Sequence, residues 1–142
     1  MTNAVWTFWY GSYMNLDVLK KLGLVPERYD VARLPGFDLV IGPRANLVRS
    51  EQHCVYGIVA PASHAELASL YTHAREALGE VYLPEPVLVE TRGGAWRPAL
   101  CYIAPEMKPG RPAADYVNLI ATAAAAHDFP KWYVERIERF RP

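Results

Sequence analysis

The sequence predicts an α+β domain whose mixed, mostly antiparallel, barrel-like sheet is flanked by helices. Three observations carry this. About seven short β-prone runs lie along the chain, Pro and Gly punctuate them, and the helical segments do not alternate regularly with them. Regular alternation would have argued instead for a doubly wound parallel sheet. At 142 residues and 51% hydrophobic, the chain has the size and apolar content of one folded domain, taken as 1–142.

The first run, Val5 to Tyr10, is aromatic and β-prone and ends at Gly11-Ser12, where a sharp turn is available. Asn15 is placed to cap a short helix from Leu16, with Leu16, Leu19 and Leu22 on one side and Gly23 as its stop. Runs from Tyr29 to Leu34, Phe37 to Ile41 and Ala45 to Val48 follow, separated by Pro35-Gly36 and Gly42-Pro43. Cys54 to Ala60 is apolar on both faces, as a central strand requires.

Ser63-His64-Ala65-Glu66 has the spacing of a capping box. It opens a helix with Leu67, Leu70, Tyr71, Ala74 and Leu78 on its buried face and Gly79 as its stop. Val87 to Glu90 and Ala99 to Ala104 read as two further strands. A helix over about 113–126 turns Tyr116, Leu119, Ile120 and Ala123 inward. His127-Asp128-Phe129 breaks it, and Pro130 suits the first turn of a last helix with Tyr133, Ile137 and Phe140 on one face.

Composition excludes several classes of function. Lys plus Arg equal Asp plus Glu at 15 each, which argues against a nucleic-acid partner and leaves a small anionic or zwitterionic ligand open. No run approaches the ~20 apolar residues of a membrane span. The first residues lack a basic stretch followed by a long apolar one, so no secretion signal is expected. Cys54 and Cys101 read as two small buried hydrophobes in a reducing, cytoplasmic compartment, and the four Trp as core. The four His are not spaced as metal ligands, and neither a metal nor a cofactor is expected.

The loop Tyr10-Gly11-Ser12-Tyr13 is the candidate binding element. A strand that turns into a helix leaves main-chain N–H groups without partners, and these favour an anion. Gly11 permits close approach to the backbone, and Ser12 adds a hydroxyl. A carboxylate, or the oxyanion of an attacked carbonyl, suits such a seat. Ser12 as a covalent nucleophile is disfavoured, because it lacks a Gly-x-Ser-x-Gly context.

From Phe8 to Asn15 the sequence resembles the gamma-glutamylcyclotransferase-like (AIG2-like) family, whose members open with a strand running into Tyr-Gly-Ser-Asn-Met. Later landmarks agree in order: Ala32 to Leu39, Ala45 to Val48, Val55 to Val59, Tyr82 with Val87 and Val89, and Asp115 to Val134. The resemblance implies the family's fold and its reaction, in which the α-amine of a gamma-glutamyl group attacks its own side-chain carbonyl. That reaction yields 5-oxoproline and a free amine.

One partly desolvated carboxylate can take the attacking proton and deliver it to the leaving nitrogen. The family's catalytic Glu falls near the end of the helix before Tyr82. Counting forward from Leu70 places Ala74 there, and counting back from Tyr82 places Glu76 there. Two residues rotate a side chain by about 200° on a helix, so Ala74 and Glu76 face opposite ways. Glu80, beyond the Gly79 stop, is the other acid/base candidate. Tyr13 replaces the family's usual Asn. Arg44 is a candidate carboxylate clamp, Tyr82 and Tyr102 are candidate cavity walls, and His73 is a less favoured proton shuttle. Two other readings stay open: a different small-molecule reaction in the same pocket, and a non-catalytic binding module.

Overall fold

The computed structural model describes residues 4–142. Five strands, β1 (Ala4–Trp9), β2 (Asp30–Ile41), β3 (Ala45–Ser63), β4 (Leu83–Thr91) and β5 (Trp96–Ile103), close into a barrel in the order β1-β3-β2-β4-β5. Every pairing is antiparallel except β1 with β5, where Thr7 lies opposite Leu100 and Phe8 opposite Cys101. Four helices flank it: α1 (Leu16–Lys21), α2 (His64–Ala77), α3 (Ala114–Ala126) and α4 (Lys131–Glu138). No helix among the described residues is long and apolar enough to cross a membrane.

Residues paired across an antiparallel ladder share a face, so the register assigns the barrel interior. Phe8, Ala32, Leu34, Val55, Val59, Val89 and Cys101 lie on that face, and all are buried. The opposite face of β1 carries Thr7 and Trp9, both buried. Buried Leu67 and Leu70 of α2 share a core with Trp9.

The seven expected runs become five strands, and the physical reason is a bulge. Pro35-Gly36 does not end a strand. Gly36 adopts a left-handed φ of 87°, and the register with β3 shifts between Pro35 and Phe37. On β3 the same irregularity takes up 50–53, where Ser50 Oγ and His53 Nδ1 lie 2.5 Å apart. One long bent hairpin therefore replaces four short strands.

The local signals for the helices hold. Ser63 and Glu66 form the reciprocal capping box, Asn15 Oδ1 accepts from the Asp17 N–H at 3.1 Å, and Gly79 ends α2 with a φ of 79°. Leu119 is a correction, being 42% exposed because the buried stripe of α3 runs through Tyr116, Val117, Ile120 and Ala124. Cys54 is only half-buried. Trp96 and Trp132 are exposed rather than core.

Candidate active site

Where β1 ends, the chain passes through Tyr10-Gly11 into a single 3-10 turn, Ser12–Met14, and then into α1. The turn closes through Met14 N–H to Gly11 O (3.1 Å) and Asn15 N–H to Ser12 O (3.0 Å). The main-chain N–H groups of Ser12 and Tyr13 donate no hydrogen bond among the described residues. Unpartnered amides at the head of a helical turn follow from its geometry, since nothing precedes them to accept.

These residues form one wall of a cavity. Its lining includes Trp9, Tyr10, Gly11, Ser12, Tyr13 and Ala45 from the strands and loop, Tyr71, Ala74 and Leu78 from the α2 side, and Tyr82, Tyr102 and Tyr116. It offers about 30 Å³ to the centre of a water-sized sphere, room for one or two waters. The tyrosine rings account for the small volume. Tyr71 stacks on Tyr102 with centroids 3.7 Å apart and meets Tyr13 edge-on at 5.6 Å.

Most of the phenols are committed to backbone. Tyr10 donates to Tyr102 O at 2.7 Å, Tyr13 to Leu70 O at 2.8 Å, and Tyr82 to Ala45 O at 2.6 Å. Tyr116 accepts the Ala45 N–H at 2.9 Å, so Ala45 is held from both sides. Burial pushes the hydroxyls of Tyr10, Tyr13, Tyr71, Tyr82 and Tyr116 up in pKa, which keeps them protonated at neutral pH. They act as neutral hydrogen-bonding walls and none serves as a base.

The expected site residues separate into three groups. Tyr10, Gly11, Ser12, Tyr13 and Tyr82 line the cavity. Arg44 lines an adjoining open groove that shares Ser12, Tyr13 and Tyr116 with it, and its guanidinium lies 4.9 Å from the Tyr116 ring centroid. His73 lines that groove too. The two carboxylates lie off the cavity wall. Glu76 is exposed on the outer side of α2, which continues as a regular helix to Ala77, while Ala74 takes the wall position.

Glu80 is half-buried just past the left-handed Gly79, and its N–H bonds back to Ala74 O at 3.1 Å. It lines a separate surface groove with Val81, Leu83, Pro105 and Lys108, and its charge adds a lesser upward push, behind burial, to the pKa of Tyr82 and Tyr116. Gly11 has a packing duty as well as an open one, because a Cβ there would lie 2.8 Å from the Ala45 Cβ.

Sequence reasoning missed Trp9, Ala45, Tyr71 and Tyr116 as walls. Each occupies an ordinary buried position of a strand or an amphipathic helix, and no spacing distinguishes a cavity wall from core. The only signal was the count of nine Tyr. Among the described residues no group of three His, Cys, Asp or Glu is placed to hold a metal ion.

No curated protein sequence matches this chain. Among solved structures, a gamma-glutamyl cyclotransferase superposes with a TM-score of 0.80 at 22% identity, covering 99% of this chain and 89% of its own. An uncharacterized human protein gives 0.82 at 21% identity, covering 98% and 89%. A yeast gamma-glutamyl cyclotransferase specific to glutathione gives 0.66 at 15% identity, covering 96% and 95%. At such identities the likeness establishes the fold. The family model for gamma-glutamyl cyclotransferase, AIG2-like proteins matches residues 7–119, and the chain belongs to that family.

Proposed function

We propose that the chain is a cofactor-independent gamma-glutamyl cyclotransferase acting on a gamma-glutamyl amine or dipeptide, with Glu80 as its acid/base. The observation that carries this reading is the pair of unpartnered Ser12 and Tyr13 amides on the wall of the tyrosine cavity. Such donors suit a carboxylate of the substrate, or the oxyanion that forms as the carbonyl is attacked.

The substrate's α-nitrogen attacks its own γ-carbonyl carbon. A new C–N bond closes the five-membered ring, and the amide C–N bond breaks. Glu80 takes the proton from the attacking nitrogen and delivers it to the departing one. Ring closure supplies the proximity, so the protein need only orient, desolvate and move that proton. Arg44 lines the groove beside Tyr116, and in this reading its guanidinium takes a carboxylate on the departing half. The cavity as it stands is too small for a glutamyl group, so binding requires wall side chains to move.

The test is 5-oxoproline release across a panel of gamma-glutamyl amines and dipeptides. Glu80→Gln is expected to lower kcat by about a hundredfold or more, and Glu76→Gln to leave it within about twofold. Full activity in Glu80→Gln would remove Glu80 from the mechanism.

A second reading, a non-catalytic binding module, is favoured by Ala74, which gives the cavity an apolar methyl at one of the two positions counted for the family's carboxylate, while Glu76, at the other, is exposed. Binding of 5-oxoproline without release from any panel member would establish it.

A further inference from the structure

The indole N–H of Trp9 is a donor with nothing to receive it. Trp9 is 2% exposed, and its Nε1 is buried without a hydrogen-bond partner among the described residues. An indole only donates, and burying it unpaired costs about 1–3 kcal/mol. Arg97 Nε and Tyr133 Oη share that condition, but neither residue lines the cavity, whereas Trp9 does. The indole lies near enough to the Tyr71 phenol to lower its pKa against the larger upward push of burial, yet the two make no hydrogen bond of ordinary geometry. Tyr71 is thus a poor stand-in for an acceptor.

The wall leaves three N–H groups without an acceptor. Tyr10, Tyr13 and Tyr82 spend their hydroxyl protons on main-chain carbonyls, and Tyr116 spends its oxygen on an N–H. The Trp9 N–H and the Ser12 and Tyr13 amides are left, and no carboxylate lines the space. A flat, acceptor-bearing group between aromatic faces matches this inventory.

We propose that Trp9 is a specificity-determining residue of this site, its indole N–H donating to a carboxylate or carbonyl oxygen of the ligand at the position the Tyr71 hydroxyl yields. This rests on reading the cavity as the ligand seat, and it adds a side-chain donor from β1 to the main-chain donors of the loop.

The four Trp give four indole resonances in a ¹⁵N-labelled sample, and the one missing in Trp9→Phe belongs to Trp9. Titration with 5-oxoproline and, separately, with acetate is expected to move that resonance downfield, while methylammonium leaves it in place. Trp9→Phe, which keeps an aromatic ring, is expected to weaken carboxylate binding about tenfold or more.

If neither carboxylate moves the Trp9 resonance, the proposal is overturned, even where the Ser12 and Tyr13 amides respond. An equal response to methylammonium also overturns it. If acetate moves the resonance and 5-oxoproline does not bind, the Trp9 role stands and the gamma-glutamyl reading fails. Should Trp9→Phe fold poorly, the wild-type spectra still decide.

Discussion

Replacing Gly11 by Ala tests how the loop is held against the barrel. The new Cβ would lie 2.8 Å from the Ala45 Cβ, and the Tyr116 hydroxyl is 3.9 Å away. Ordinary carbon contacts begin near ~3.5 Å, so one backbone must retreat by roughly 0.7 Å. Neither has freedom to do so. Ala45 is pinned through both its N–H and its C=O, to Tyr116 and Tyr82, and the loop is pinned through its 3-10 bonds.

Overpacking of this kind costs about 1–3 kcal/mol, a fall in Tm of roughly 4–10 °C for a chain of this size. Ala45→Gly removes the clashing methyl and by itself costs about 0.5–1 kcal/mol through strand entropy. The double variant is therefore expected to recover ~1–2 kcal/mol relative to the sum of the singles. Urea unfolding of the four proteins measures this. Additivity within about 0.3 kcal/mol would refute the direct contact between Gly11 and Ala45.

Three further substitutions probe the scaffold. A Cβ at Gly57 would lie 2.2 Å from the Trp9 carbonyl oxygen and 2.8 Å from the Phe8 ring, so Gly57→Ala is expected to lower Tm by roughly 10 °C or more or to prevent folding. Gly93→Ala, with nothing within 4 Å, is the silent control in the same thermal melt. Arg136 of α4 forms a two-pronged ion pair with Asp38 of β2, at 2.5 and 2.7 Å, and the guanidinium's hydrogen bonds hold the Asp38 carboxyl below its ordinary pKa.

A carboxyl depressed in the folded state stabilises it above the unfolded pKa near ~3.9 and loses that contribution as pH falls through the folded value. Asp38→Asn is expected to cost ~1–2 kcal/mol at pH 7 and to flatten the fall in stability below about pH 4. Urea midpoints from pH 3 to 7 that fall identically in both proteins would contradict this.

What the sequence disclosed was local. The handover from β1 through Gly11 to the Asn15 cap, the Ser63–Glu66 box and the Gly79 stop are all written in residues a few positions apart, so propensity and capping rules reach them. The union of Tyr29–Leu34 with Phe37–Ile41 was hidden because Pro35-Gly36 serves a turn and a bulge equally well, and only pairing with β3 decides. The cavity was hidden for a related reason. Tyr71 and Tyr116 satisfy helical periodicity whether they meet a packed core or an open space. Ala74 and Glu76 were legible because their opposite rotation on α2 follows from the helix period, whereas the position of Glu80 depends on how the chain leaves Gly79.

A crystal structure of the protein with 5-oxoproline tests most directly whether the loop seats an anionic group. The account predicts the ligand carboxylate within hydrogen-bonding distance of the Ser12 and Tyr13 amides, with Tyr71 displaced from its stack on Tyr102. A ligand held elsewhere, or held in the cavity by side chains while both amides stay unpartnered, would contradict it.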